Sequence, residues 1–225
     1  MRRDRASADD LLVLRALGAL LTYPTRELVA ALPEIGDILE RSSLLRAEDR
    51  RRLAALTADL RDGDPLELEE RYVELFDRGR KTSLHLFEHV HGESRDRGAA
   101  MVDLLQIYER AGLQLAENEL PDYLPAVLEY LSCRTLDEAR AMLGDCEHIV
   151  RKIGEALAQR GSPYAAALAA VLTIAQAPAL NWSEATQPAP EPPIDEEWAD
   201  PQAFPPQAGA DAQTAVIQFM PRKPA

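Results

Sequence analysis

Apolar side chains recur at the helical period through most of residues 8–175. Leu53, Leu56 and Leu60 stand three and four apart, on one face of a helix predicted over 46–61, with Arg50, Arg51 and Arg52 on its wet side. Met101, Leu104, Leu105, Tyr108, Leu113 and Leu115 mark a helix predicted over 95–117, with Ser94 as its cap. Start and stop signals place the others. Ser7 with Asp10 opens a helix over 8–22 that Tyr23-Pro24 ends. A helical region over 26–42 is interrupted or restarted at Pro33. Asp64-Pro65-Leu66-Glu67 supplies a cap, a proline at the first helical position and an acid at the third, for a helix to about Asp77. Short helices are predicted over 83–90 and 121–132. Thr135 and Glu138 make a capping box for a long helix to Gln159. Ser162-Pro163, after a turn at Gly161, opens the last, to about Ala175. No stretch alternates long enough for a sheet, and no fixed-period repeat points to a solenoid. The expected fold is all-α, a compact body of eight or nine helices.

Composition divides the chain. Residues 1–180 read as the helical body. Residues 181–225 hold nine of the sixteen prolines, with seven acidic and two basic side chains, and read as an extended, partly disordered acidic tail. Ile194, Trp198, Phe204 and Val216-Ile217-Gln218-Phe219 punctuate that tail with apolar groups able to dock on a surface. The net charge of -13 disfavours nucleic acid as a partner. Cys133 and Cys146 are too few for a disulfide scaffold or a four-cysteine metal centre, and each reads as a small buried filler in a reducing compartment. Neither glycine-rich phosphate-loop pattern occurs. The apolar run Leu11–Leu21 follows basic residues as a secretory signal would, but Asp9, Asp10 and Arg15 favour a helix, and the run is too short to span a bilayer.

His85, His89 and His91 fall within seven residues, and Glu88 with His91 has the ExxH spacing of di-iron helical bundles. A second such pair is missing; Asp145 and His148 come nearest. No HExxH and no GxSxG elbow occurs, so no catalytic residue and no metal set is assigned. A helical metal enzyme built on Glu88 and His91 remains the rival reading. A binding body is better supported. The segment from Tyr72 to His91 mixes aromatics, leucines, histidines and both signs of charge, and Pro121-Asp122-Tyr123-Leu124-Pro125 brackets an aromatic between prolines. Helices can form a groove that receives a partner's amphipathic helix.

These residues resemble the NarJ family of nitrate reductase molybdenum cofactor assembly chaperones, within the wider TorD-like redox enzyme chaperones. The resemblance rests on Tyr72-Val73-Glu74-Leu75-Phe76-Asp77, on the string from Ser83 to Gly98 and on Ala100-Met101-Val102-Asp103-Leu104. Leu21-Thr22-Tyr23-Pro24, Ala111-Gly112-Leu113 and Glu119 to Pro125 add to it, over roughly residues 10–180, and Trp198 to Phe204 is similar to a short C-terminal element of the family. The resemblance implies a cytoplasmic, non-catalytic chaperone with no cofactor of its own. Its implied partner is the apo catalytic (alpha) subunit of respiratory nitrate reductase, held by its N-terminal peptide for molybdenum cofactor insertion and assembly before membrane attachment. Molybdenum cofactor biosynthesis proteins are further implied partners, and the chaperone of another molybdoenzyme is the alternative. The candidate client-binding residues are Asp77 and Glu88 for basic client groups, Phe87, Tyr123 and Leu124 for apolar contact, and His85, His89 and His91 for polar contact or loop shape. Arg95 and Arg97 are expected to pair internally with Asp96, Asp103 or neighbouring acids. Histidine titration near neutrality would make client binding pH-sensitive.

Overall fold

Helix α10 (Ala165–Ile174) is apolar on every side, and all but one of its residues are buried. A helix of that composition must be surrounded. The structure, a computed structural model, describes residues 8–91, 95–116 and 119–182, and in it α10 packs against α1 (Ala8–Leu20), α3 (Ala47–Asp62), α8 (Leu136–Asp145) and α9 (Glu147–Gln159). Helix α1 is the second buried axis, lying most extensively on α7 (Leu124–Ser132). Val13, Leu14, Leu17, Leu20, Leu124 and Leu128 are fully buried between those two elements and their neighbours. Each such side chain contributes about 1.5–3 kcal/mol by leaving water, so these two helices carry much of the core.

The remaining elements wrap this pair. Helix α2 (Arg26–Arg41) is capped by Thr25, whose hydroxyl accepts the Leu28 N–H at 3.2 Å, and it buries Leu28, Leu32, Ile35 and Leu39. It runs unbroken through Pro33, an exposed position whose nitrogen makes no helical hydrogen bond. In α3, Leu53, Leu56 and Leu60 are buried as their spacing predicts. Arg51 is exposed as expected, but Arg50 donates to the carbonyls of Ser42 and Leu45, and Arg52 lies 3.8 Å from the ring centroid of Trp182.

Asp64 caps α4 (Pro65–Tyr72) by accepting from Leu66 and Glu67. The helix then widens into a π-helical turn over Val73–Asp77 and closes through a 3₁₀ turn, Arg80–Thr82. The short helix predicted over 83–90 is helical only as α5 (Glu88–His91). Before it the chain is locally two-periodic, with Leu84 and Leu86 buried and His85 and Phe87 partly exposed, and it forms one antiparallel bridge, His85 with Tyr123. Four residues of alternation are too few to stand out in a helical sequence.

Helix α6 (Arg95–Arg110) stops short of the expected 117. Gly112, at φ +77°, turns the chain left-handed, and the Leu113 N–H returns to the Tyr108 carbonyl at 3.0 Å. The long helix predicted over 135–159 is two, α8 and α9, broken at Cys146. The buried positions 136, 139, 143, 150, 153 and 157 keep a helical phase across the break, so periodicity cannot reveal it. The low helix propensity of Gly144 and Asp145 favours a break there. Among the described residues the fold is all-α with no sheet, and no helix is long and apolar enough to cross a membrane. Ser7, Ser94 and the tail beyond residue 182, with its predicted docking groups, lie outside the described residues.

Candidate functional site

The π-helical turn re-aims the end of the α4 region. It buries Leu75 and Phe76 and leaves Asp77 exposed at its last position. The fully buried Thr82 hydroxyl donates to the Leu75 carbonyl and locks the turn. From there the motif segment runs beside the 119–123 loop, stitched by Leu124 N–H to Leu84 O at 2.9 Å and Leu86 N–H to Asp122 O at 3.0 Å.

Asp122 joins the two segments through its side chain as well. It is wholly buried, its Oδ2 accepts the Phe87 N–H at 3.1 Å, and its Oδ1 lies 3.4 Å from His85 Nδ1. Arg97 approaches the same carboxylate at 3.9 Å and Glu88 at 3.3 Å. Glu88 also accepts from the Ser83 hydroxyl at 2.6 Å, and His89 Nε2 meets the Ser83 carbonyl at 2.9 Å. Among described contacts, Glu88 and His89 therefore shape the motif segment. Arg97 pairs internally as expected, with the acids Glu88 and Asp122, while the side chains of Arg95 and Asp96 lie outside the described residues.

An open cleft of about 540 Å³ lies against this clasp. Tyr23, Tyr72, Phe76, Asp77, Leu84 and His85 line it, and Ala116, Glu119, Leu120 and Tyr123 complete it. Its aromatic wall is ordered by hydroxyls. Tyr72 donates to the Leu21 carbonyl at 2.9 Å, and its oxygen receives the Tyr123 hydroxyl at 3.0 Å, so a carbonyl at the end of α1 is satisfied from the cleft side. Tyr23 meets Tyr72 edge-on with centroids 5.5 Å apart, and His85 lies 5.3 Å from Tyr123. Burial pushes the phenols of Tyr72 and Tyr123 above the ordinary value, and nearby negative charge adds to it.

The predicted site residues separate accordingly. Asp77, His85 and Tyr123 line the cleft. Phe87 is partly buried against the core, and Leu124 is fully buried and serves packing. His91 closes α5, with its side chain outside the described residues. Tyr23, Tyr72, Glu119 and the buried Asp122 belong to the site but were not singled out; each lies inside one of the peculiar strings, which were the only signal for them. Among the described residues no group of three or more histidine, cysteine or carboxylate side chains could hold a metal ion, and the His91 side chain of the Glu88/His91 reading lies outside them. Cys133 is exposed rather than a buried filler, whereas Cys146 is largely covered and its thiol is pushed up to about 11 by burial.

Among the described residues the all-helical body thus presents an aromatic and acidic cleft beside a clasped motif segment. The family model for the nitrate reductase delta subunit matches residues 43–170, which contain every cleft residue but Tyr23, and the chain belongs to that family. It is 46% identical over 165 residues to the nitrate reductase molybdenum cofactor assembly chaperone NarJ of Escherichia coli (strain K12), covering 73% of this chain and 70% of that protein. It is 44% identical to the probable nitrate reductase molybdenum cofactor assembly chaperone NarW of the same strain, over 72% of this chain and 68% of the relative. A probable NarJ of Bacillus subtilis (strain 168) is 31% identical over 74% of this chain and 89% of its own length. The chain is thus a member of a family of assembly chaperones, not of an enzyme class.

Proposed function

We propose that this protein binds the apo catalytic subunit of respiratory nitrate reductase in the cytoplasm, taking the subunit's N-terminal peptide into the Tyr23–Tyr123 cleft. It holds that subunit competent for molybdenum cofactor insertion and assembly before membrane attachment, and cofactor biosynthesis proteins meet it there. The observation that carries this reading is the cleft, formed by the peculiar motif strings of an assembly-chaperone family. Its volume is in the range of small ligand sites, about 300–1,000 Å³. It therefore takes an anchor turn of a helical client, and the surrounding surface takes the rest. Phe76, Leu84 and Leu120 offer apolar contact, and Asp77 and Glu119 favour a basic face. No covalent step is required. Release follows when cofactor insertion removes the bound conformation of the client, so the cycle is driven by the difference in affinity between two client states.

Calorimetric titration with a peptide covering about the first 15 residues of the host's catalytic subunit, a helical length of roughly 22 Å, tests the reading against a scrambled control. Specific binding at micromolar concentration or tighter is expected. A folded protein that ignores the peptide while binding the subunit of another molybdoenzyme would overturn it.

A further inference from the structure

We propose that the cleft seats an arginine side chain of the client, held by Asp77 and Glu119 and flanked by the rings of Tyr23 and Tyr123. This rests on the client-binding reading of the cleft and names the group that anchors the client there. Two carboxylates line the cleft, and among its described lining residues none is a lysine or arginine. Two phenols of the aromatic wall register the resulting field. Tyr23 is raised first by desolvation, then by its hydrogen bond to Glu69 and by the charges of Glu69 and Asp77. Tyr123 is raised by burial, with Glu119 and Asp77 pushing the same way. A negative cleft with low-dielectric aromatic walls concentrates that field and attracts a cation.

The arrangement also selects among cations and among acids. A guanidinium stacks on tyrosine rings and offers parallel N–H donors to a carboxylate, whereas an ammonium is a strongly hydrated point charge. The arginine stem would lie along Leu84 and Leu120, the latter 44% exposed. Glu88, the other acid expected to meet basic client groups, is already bonded to Ser83 and Arg97. Asp77 and Glu119 form no ion pair among the described residues, so the anchor belongs to them.

The test titrates the client peptide, with each arginine replaced in turn by citrulline or lysine, into wild-type protein and into the Asp77→Asn, Glu119→Gln double variant. At one arginine, citrulline is expected to weaken wild-type binding about tenfold or more, as desolvated charge pairs do, with lysine in between. The double variant should be nearly indifferent to the same change, so that the losses are not additive. Added salt should weaken wild type more than the double variant. Additive losses overturn the anchor and leave client binding intact. So does wild-type binding indifferent to citrulline at every arginine, a readout that needs no altered protein. Wild type that binds no peptide at all overturns the client reading and the anchor together.

Discussion

The carboxylate of Asp122 accepts the backbone N–H of Phe87 at 3.1 Å from a position with no exposure to solvent. That bond ties the motif segment to the loop that forms the opposite side of the cleft, and the same carboxylate faces His85 and Arg97.

Asp122→Ala is expected to destabilise the protein by about 3 kcal/mol, since it strands a backbone donor and removes the charge facing Arg97. Asp122→Asn keeps an acceptor for the Phe87 N–H and should cost less than half as much. Urea denaturation of both variants checks this. Equal losses would show that charge, not the backbone bond, dominates; no loss in either would show that the clasp does not hold the two segments.

Gly18 of α1 faces α7. A Cβ there would lie 3.1 Å from the Pro125 carbonyl oxygen and 3.4 Å from Leu128 Cβ. The first neighbour is backbone and cannot swing aside. Gly18→Ala gains about 1 kcal/mol of helix propensity, but forcing apart a well-packed crossing costs about 1–3 kcal/mol. A net loss and a lowered thermal midpoint are expected; a raised midpoint would mean that the α1–α7 crossing yields freely.

The two thiols should separate by reactivity. Cys133 is exposed, whereas the Cys146 thiol is held up to about 11 by burial and points at the Met142 carbonyl, 3.4 Å away. The thiolate is the reactive form. An alkylating reagent at neutral pH should label Cys133 in the folded protein and reach Cys146 only after unfolding, as peptide mass mapping would show. Equal labelling of both in the folded state would contradict the burial of Cys146.

The helices were legible because capping chemistry is local. Asp64 with Pro65, and Thr135 with Glu138, start helices where the same residues cap them in the structure. What escaped is non-local or phase-neutral. The break at Cys146 keeps the apolar phase, and the extended 84–87 segment owes its shape to pairing with residues 36 to 40 positions later. The cleft was half legible for the same reason. Asp77, His85 and Tyr123 lie in conspicuous strings, but nothing short of the fold shows that Tyr23 and Glu119 share their cleft, that Glu88 is occupied by Ser83, or that Leu124 faces the core.

The tyrosine cluster predicts how the protein fails in alkali. Burial raises Tyr72, Tyr108 and Tyr123 above the ordinary phenol value of 10.0, and Tyr164 up to about 12. Between pH 10 and those raised values the unfolded chain loses phenolic protons that the folded chain keeps. The unfolded state then binds fewer protons, so stability falls as pH rises. The tyrosines' contribution is full below pH 10 and is lost as pH climbs through the folded values. The expected result is a cooperative unfolding above pH 10 in which the buried phenols ionise together, read by near-ultraviolet absorbance alongside circular dichroism. Tyr164→Phe removes a buried hydroxyl that has no hydrogen-bond partner among the described residues, and it should move that transition to higher pH. Phenols that all titrate at the ordinary value while the helices stay intact would show that the cluster around Leu21 is open to water.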